Sequence, residues 1–153
     1  MIPEIEFHLP NIPSNITSCG PFVLPVSSTV EETDPDLAQW LSASKGRTVL
    51  INLGTHAVSD PGMAENIAKG ISAAMQHERD QGRGLQVLWK LKLDAGMDNT
   101  DTVLRRELGN EMEQGRVRVV DWLTVDPLAL LKEGSVMCSV HHGGANSFFE
   151  STT

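Results

Sequence analysis

The sequence predicts an α/β domain: a parallel, Rossmann-like sheet with helices on both faces. Two observations predict it. Short apolar, β-branched runs alternate four times with segments of helical periodicity, and such alternation favours βαβ units. Each run is short and mostly apolar, which suits strands covered on both faces. Ligands of such sheets bind outside the carboxyl ends of the strands. The turns that follow the runs therefore belong to one edge of the fold.

The elements follow in chain order. Met1 to Pro35 carries six of the eight prolines and little periodicity. It reads as a linker or extended arm (1–35), with the domain over 36–153. Asp34-Pro35-Asp36 opens a short helix, with an acidic cap and proline in the first turn. Leu37, Trp40 and Leu41 mark its apolar face, and Trp40 is read as a packing residue. Thr48 to Leu53 is a buried strand ending in a Gly54-Thr55 turn. Pro61 to Gln81 is a helix, with Met63, Ile67, Ile71, Ala74 and Met75 near helical spacing. Gly82-Arg83-Gly84 closes it, and Leu85 to Leu91 is the second strand. Asn99 to Met112 is a surface helix through Val103, Leu104 and Leu108, and Arg116 to Asp121 is the third strand. Pro127 to Leu131 is a short helix capped by Asp126 and stopped by Gly134. Val136, Met137 and Val140 make a last buried strand, followed by His141-His142-Gly143-Gly144 and the start of a helix over Ala145 to Glu150.

Length and composition set limits on function. The 153 residues suffice for one core, and 40% hydrophobic with 21% charged content is ordinary for a soluble globular protein. A net charge of −8 argues against nucleic acid or an anionic membrane as partner. An anionic ligand must then be held by local groups. Cys19 and Cys138 are read as free thiols in a reducing, cytoplasmic setting. The Asn15-Ile16-Thr17 sequon follows no signal peptide and is read as chance. No apolar run approaches the ~20 residues of a membrane helix.

The chemistry concentrates in the last strand, turn and helix. Glycines let the backbone turn tightly and come close to a ligand. The first helical turn offers free N–H groups and the positive end of the helix dipole, which favour a phosphate. On that helix Asn146 and Ser147 can donate to phosphate oxygens. Glu150 is four residues beyond Asn146 and three beyond Ser147, so it shares their face and can accept from a ribose diol. Asn and Ser would equally serve as ordinary caps. Trp122, just past a strand end, can present a flat face to a pyrimidine, or it can be a core tryptophan. His142 can donate to a phosphate oxygen. His141 and His142 point to opposite faces and lack further ligands, so no metal is expected. His56 and His77 are read as surface histidines. No G-x-S-x-G elbow, G-x-G-x-x-G fingerprint or P-loop occurs, which disfavours Ser-His-Asp hydrolysis, NAD and ATP.

Asp121-Trp122-Leu123 followed by His142-Gly143-Gly144-Ala145-Asn146-Ser147-x-x-Glu150 resembles the nucleotide-sugar signature of UDP-glycosyltransferases with the GT-B fold, in a fungal form. Val49 to His56 resembles the first strand and loop of that family's C-terminal half, and the likeness runs from Cys19 to the chain end. The resemblance implies a truncated donor-binding half. Trp122 would stack on uracil and the backbone of Leu123 would pair with the base edge. Gly54, Thr55, His142, Gly144, Asn146 and Ser147 would face the diphosphate, and Glu150 the ribose. Where the family has Pro-Gln, this chain has Thr124-Val125, so one glutamine contact would be missing.

The resemblance implies further that the catalytic histidine lies in an acceptor-binding half before Met1, and that the pair reading the sugar hydroxyls lies after Thr153. No catalytic residue is expected in this chain, and no cofactor beyond the UDP-sugar donor. The parent enzyme would pass a hexose to a small-molecule or lipid acceptor, while this chain alone would be inactive. Truncation would expose apolar surface around Phe148 and Phe149, with self-association as a result. The rivals are a non-catalytic nucleotide-binding fragment and a nucleotide-sugar epimerase of similar architecture.

Overall fold

The computed structural model describes residues 13–15, 24–44, 46–93 and 100–152. Cys19 and most of the expected arm lie outside them. Ten elements follow one another. They are α1 (Val30–Thr33), α2 (Pro35–Ser42), β1 (Thr48–Asn52), α3 (Pro61–Asp80), β2 (Gln86–Lys90), α4 (Thr100–Glu113), β3 (Val117–Val120), α5 (Pro127–Lys132), β4 (Val136–His141) and α6 (Ala145–Thr152). The four strands form one sheet in the order β3-β2-β1-β4, and each described pairing is parallel.

Both faces of the sheet are covered. Alternate residues of a strand point to opposite sides, and the core divides accordingly. Ile51, Val87, Trp89 and Val117 pack with α3 and α4 through Ala64, Ala68, Ile71, Met75, Leu104 and Leu108. Leu50 and Leu88 face the other way, toward Val30, Leu37, Leu41, Leu123, Val125, Ala129 and Leu130. The buried stripe of α3 is set by Ala64 and Ala68, while Met63 is 39% exposed. Ile71 and Met75 continue that stripe into the core.

The helix starts read as the sequence predicts. Asp34, Asp60 and Asp126 each accept a backbone N–H of the helix that follows, and each of those helices has proline in its first turn. Trp40 packs against the second cluster and donates its indole N–H to the Gly115 carbonyl at 2.5 Å. One helix is additional. Within the expected arm, Thr29 and Glu32 close a capping box around α1, whose Val30 is buried. Four residues are too few to show periodicity, so composition alone gave no sign of it.

The last strand departs from expectation. The run Val136 to Val140 reads as buried, yet among the described strands β4 is the sheet edge, paired only with β1. Met137 and Val140 are 53% and 41% exposed, and Cys138 is exposed too. Residue types mark a strand; its place in the sheet depends on strand order, which periodicity does not encode. Among the described residues no helix is long and apolar enough to cross a membrane.

Candidate functional site

The strand register places Val120, Lys90, Asn52 and His141 in one row across the sheet. That row is the carboxyl end of all four strands. The turns beyond it, at Gly54-Thr55, Trp122 and His142-Gly143-Gly144, consequently share one edge.

The Gly54 turn and the histidine turn touch. Gly54 has φ +93°, a conformation open to glycine, and its N–H donates to the Asn52 side chain at 3.1 Å. A Cβ on Gly54 would lie 2.9 Å from Cε1 of His142, and one on Gly144 would lie 2.3 Å from its Nε2. The imidazole of His142 thus occupies a notch that exists because both neighbours lack side chains. Gly143 has φ +78°, and its N–H donates to Nδ1 of His141 at 3.1 Å. This bond gives His141 a structural role in the turn.

The helix that follows begins at the same notch. The N–H of Phe148 donates to the Gly144 carbonyl at 2.9 Å, which makes Gly144 the cap position of α6. First-turn N–H groups lack acceptors within a helix. Those of α6 therefore open beside His142.

Trp122 is 57% exposed, so it is not a core tryptophan. Its loop is anchored by the side chains on either side of Thr124. Leu123 and Val125 are 8% and 2% exposed and lie in the second cluster, while Thr124 hydroxyl donates to Asp34 at 2.8 Å. Trp122 turns outward from this loop while Leu123 points in. Lys90 joins this loop to the glycine turn. Its ammonium sits 4.4 Å from the Trp122 ring centroid and donates to the Gly54 carbonyl at 3.4 Å. Burial, and then the charge of Lys92, push the Lys90 ammonium below its ordinary pKa.

The structure therefore brings Gly54, His142 and Gly144 into contact and ties Trp122 to them through Lys90. Thr55 and Asn146 are exposed. The main-chain oxygen of Ser147 accepts from Ser151 at 2.7 Å. Glu150 is half-buried and lines a groove of about 290 Å³ between α5, β4 and α6, with Lys132, Ser139 and Ser151 among its neighbours. Burial, and then the charge of Asp126, raise its carboxyl above the ordinary 4.5. Among the described residues no group of three or more His, Cys, Asp and Glu is placed to hold a metal ion.

Reading by motif misses Lys90, Asn52 and the influence of Asp126 on Glu150. A signal for Lys90 was present. It is the one charged residue in the run Val87-Leu88-Trp89-Lys90, at the end of a strand whose residues are all buried.

No family model matches the chain. It is 41% identical to Glycosyltransferase sdnJ of Sordaria araneosa over 156 residues, which is 99% of this chain and 28% of that protein. The chain thus spans little more than a quarter of the relative's length. Among solved structures, Os79 from O. sativa in complex with UDP matches with a TM-score of 0.53 and 22% identity over 75% of this chain and 23% of that one. A transferase from Siraitia grosvenorii in complex with UDP matches with a TM-score of 0.56 and 22% identity, over 84% of this chain and 28% of that one. In sequence the chain is similar along nearly its whole length to part of a fungal glycosyltransferase, and its Rossmann-like sheet has the fold of part of the GT-B UDP-glycosyltransferases.

Proposed function

We propose that this chain is the donor-binding half of a UDP-glycosyltransferase whose whole form moves a hexose from a UDP-sugar to a hydroxyl of a small-molecule or lipid acceptor. The observation that carries the reading is the joined cluster on the carboxyl edge. An outward indole is linked through Lys90 and Gly54 to a glycine-framed imidazole at a helix start. Those are the groups a uracil and a diphosphate require, in that order along the edge. The similarity to a glycosyltransferase favours transfer over the epimerase reading.

In this proposal Trp122 offers its face to the base and the backbone at Leu123 meets the base edge. His142 and the first-turn N–H groups of α6, with Gly54, Thr55, Gly144, Asn146 and Ser147 around them, receive the diphosphate. Glu150 accepts from the ribose diol. The acceptor oxygen attacks the anomeric carbon from the face opposite the nucleotide, the bond to the diphosphate oxygen breaks, and the electron pair leaves on that oxygen with inversion. Fixed N–H dipoles and an imidazole stabilise that developing charge without having to reorganise. The general base belongs to the acceptor half, so the isolated chain should bind donor and leave it intact.

Titration calorimetry with UDP tests the site. Stacking on an aromatic face is worth about 1–3 kcal/mol per base, so Trp122→Ala should weaken UDP roughly 5- to 150-fold. Glu150→Ala should weaken it roughly tenfold or more, as loss of a hydrogen bond to a charged group does. A chain that ignores millimolar UDP, or two variants that bind it as well as the parent, would overturn the reading.

The Glu150 carboxyl adds a pH dependence. Its folded pKa is raised, so the stability it contributes is fully present below the unfolded value near 4.5 and is lost as pH rises through the folded value. Ribose hydroxyls need the ionised acceptor, so binding runs the other way. UDP affinity should fall as pH drops through the raised value. Glu150→Gln should lose that inflection, and a profile unchanged by this substitution would remove Glu150 from the ribose role.

A further inference from the structure

We propose that Lys90 is a nucleotide-site residue: its ammonium braces one face of the Trp122 platform and supplies the cation that receives the diphosphate. This rests on the donor-site reading above. Four observations converge on it. Lys90 ends β2 in the same row as Asn52 and His141, so it belongs to the edge where the turns meet. Its ammonium lies 4.4 Å from the Trp122 ring centroid and within 3.4 Å of the Gly54 carbonyl, which places it between the indole and the notch holding His142. The residue is only 8% exposed, so its stem is fixed in the protein and its head has little freedom to wander. Among the described residues that ammonium makes one hydrogen bond, to Gly54, and no ion pair.

The physical argument is one of charge and donors. The chain carries a net charge of −8, so its overall field repels a diphosphate. A local cation must offset that repulsion at the site. An ammonium has three donors; one is directed at Gly54, and among the described residues no other hydrogen-bond acceptor takes the remaining two. A buried cation of this kind is costly without a counter-charge. Burial and the neighbouring Lys92 charge already press the free group toward its neutral form. A bound diphosphate would supply the missing partner. The cation–π contact has a second consequence: with one face of the indole held by Lys90, a pyrimidine stacks on the other, and the platform is rigid before the base arrives.

The test compares uridine, UMP and UDP on the 153-residue chain by NMR. The readout is the Trp122 indole N–H, identified by its loss in Trp122→Ala. In Lys90→Met, UDP should weaken roughly tenfold or more, because a charge-assisted contact is lost. Uridine, which carries no phosphate, should weaken by about threefold at most, in keeping with the lost cation–π support of the platform. Lys90→Arg should restore most of the UDP affinity, and the retained uridine response shows that the variant is folded. Equal losses for uridine and UDP, or UDP binding unchanged in Lys90→Met, would overturn the assignment while leaving the donor site standing. A parent chain that binds none of the three ligands would overturn the donor site, and this assignment with it.

Discussion

Trp89→Ala should cost about 3–5 kcal/mol of folding stability, the range for truncating a large buried aromatic. Trp89 is fully buried at the centre of the sheet, opposite Ile51 on one side and Val119 on the other. It lies in the cluster that α3 and α4 close over. A domain of this size holds about 5–15 kcal/mol in total, so this one change would consume a large part of it. Urea denaturation should show the midpoint falling steeply. A loss under about 1 kcal/mol would mean the site collapses freely and that the α3–α4 layer is not packed as described. Trp89→Phe is the instructive companion. The indole Nε1 of Trp89 is buried with no hydrogen-bond partner, and an unsatisfied buried donor costs about 1–3 kcal/mol. Phenylalanine removes that donor while leaving a smaller void. The two terms oppose each other, and the net change should stay within about 1.5 kcal/mol.

The second large effect concerns binding. Gly144→Ala places a Cβ where Nε2 of His142 would be 2.3 Å away, so the imidazole must leave the notch. Gly144, unlike Gly54 and Gly143, is not among the glycines with positive φ, so the backbone itself tolerates alanine. The expected result is a loss of UDP affinity of roughly tenfold or more, the size of a displaced hydrogen-bond donor to a charged group, at a small cost in stability. The decisive comparison is a double-mutant cycle with His142→Ala. With the imidazole gone there is nothing to displace, and the Gly144→Ala penalty should vanish. A penalty that persists in that background would show that the glycine acts through the start of α6 and not through His142. Gly54→Ala combines both effects, since its Cβ would meet Cε1 at 2.9 Å and its φ of +93° strains any side chain. It should therefore lose stability as well as affinity.

Most of the framework was legible because its signals are local. Asp-Pro starts announce α2 and α5, and Ile71 and Leu108 sit where helical spacing puts them. The parallel sheet followed from alternation alone. Strand order was not legible, and so β4, with the composition of an interior strand, turned out to lie at an edge. The glycine turns were legible because only glycine meets their backbone and steric demands, as Gly54 against His142 illustrates. Lys90 carried a local signal as the charged end of a buried strand, but its contact with Trp122, 32 positions away, is encoded by no periodicity. Spacing groups Glu150 with Asn146 and Ser147 on α6, yet the groove it lines depends on α5 and β4, which spacing on α6 says nothing about.

The common row formed by Val120, Lys90, Asn52 and His141 divides the molecule by tolerance to change. Below it, paired residues hold the strands in register, and an insertion would throw neighbouring ladders out of step. Above it, the turns lie outside the ladders, so a change there leaves the strand pairing in step. A lineage could therefore lengthen or rewrite parts of this rim while the strand lattice passes down unchanged.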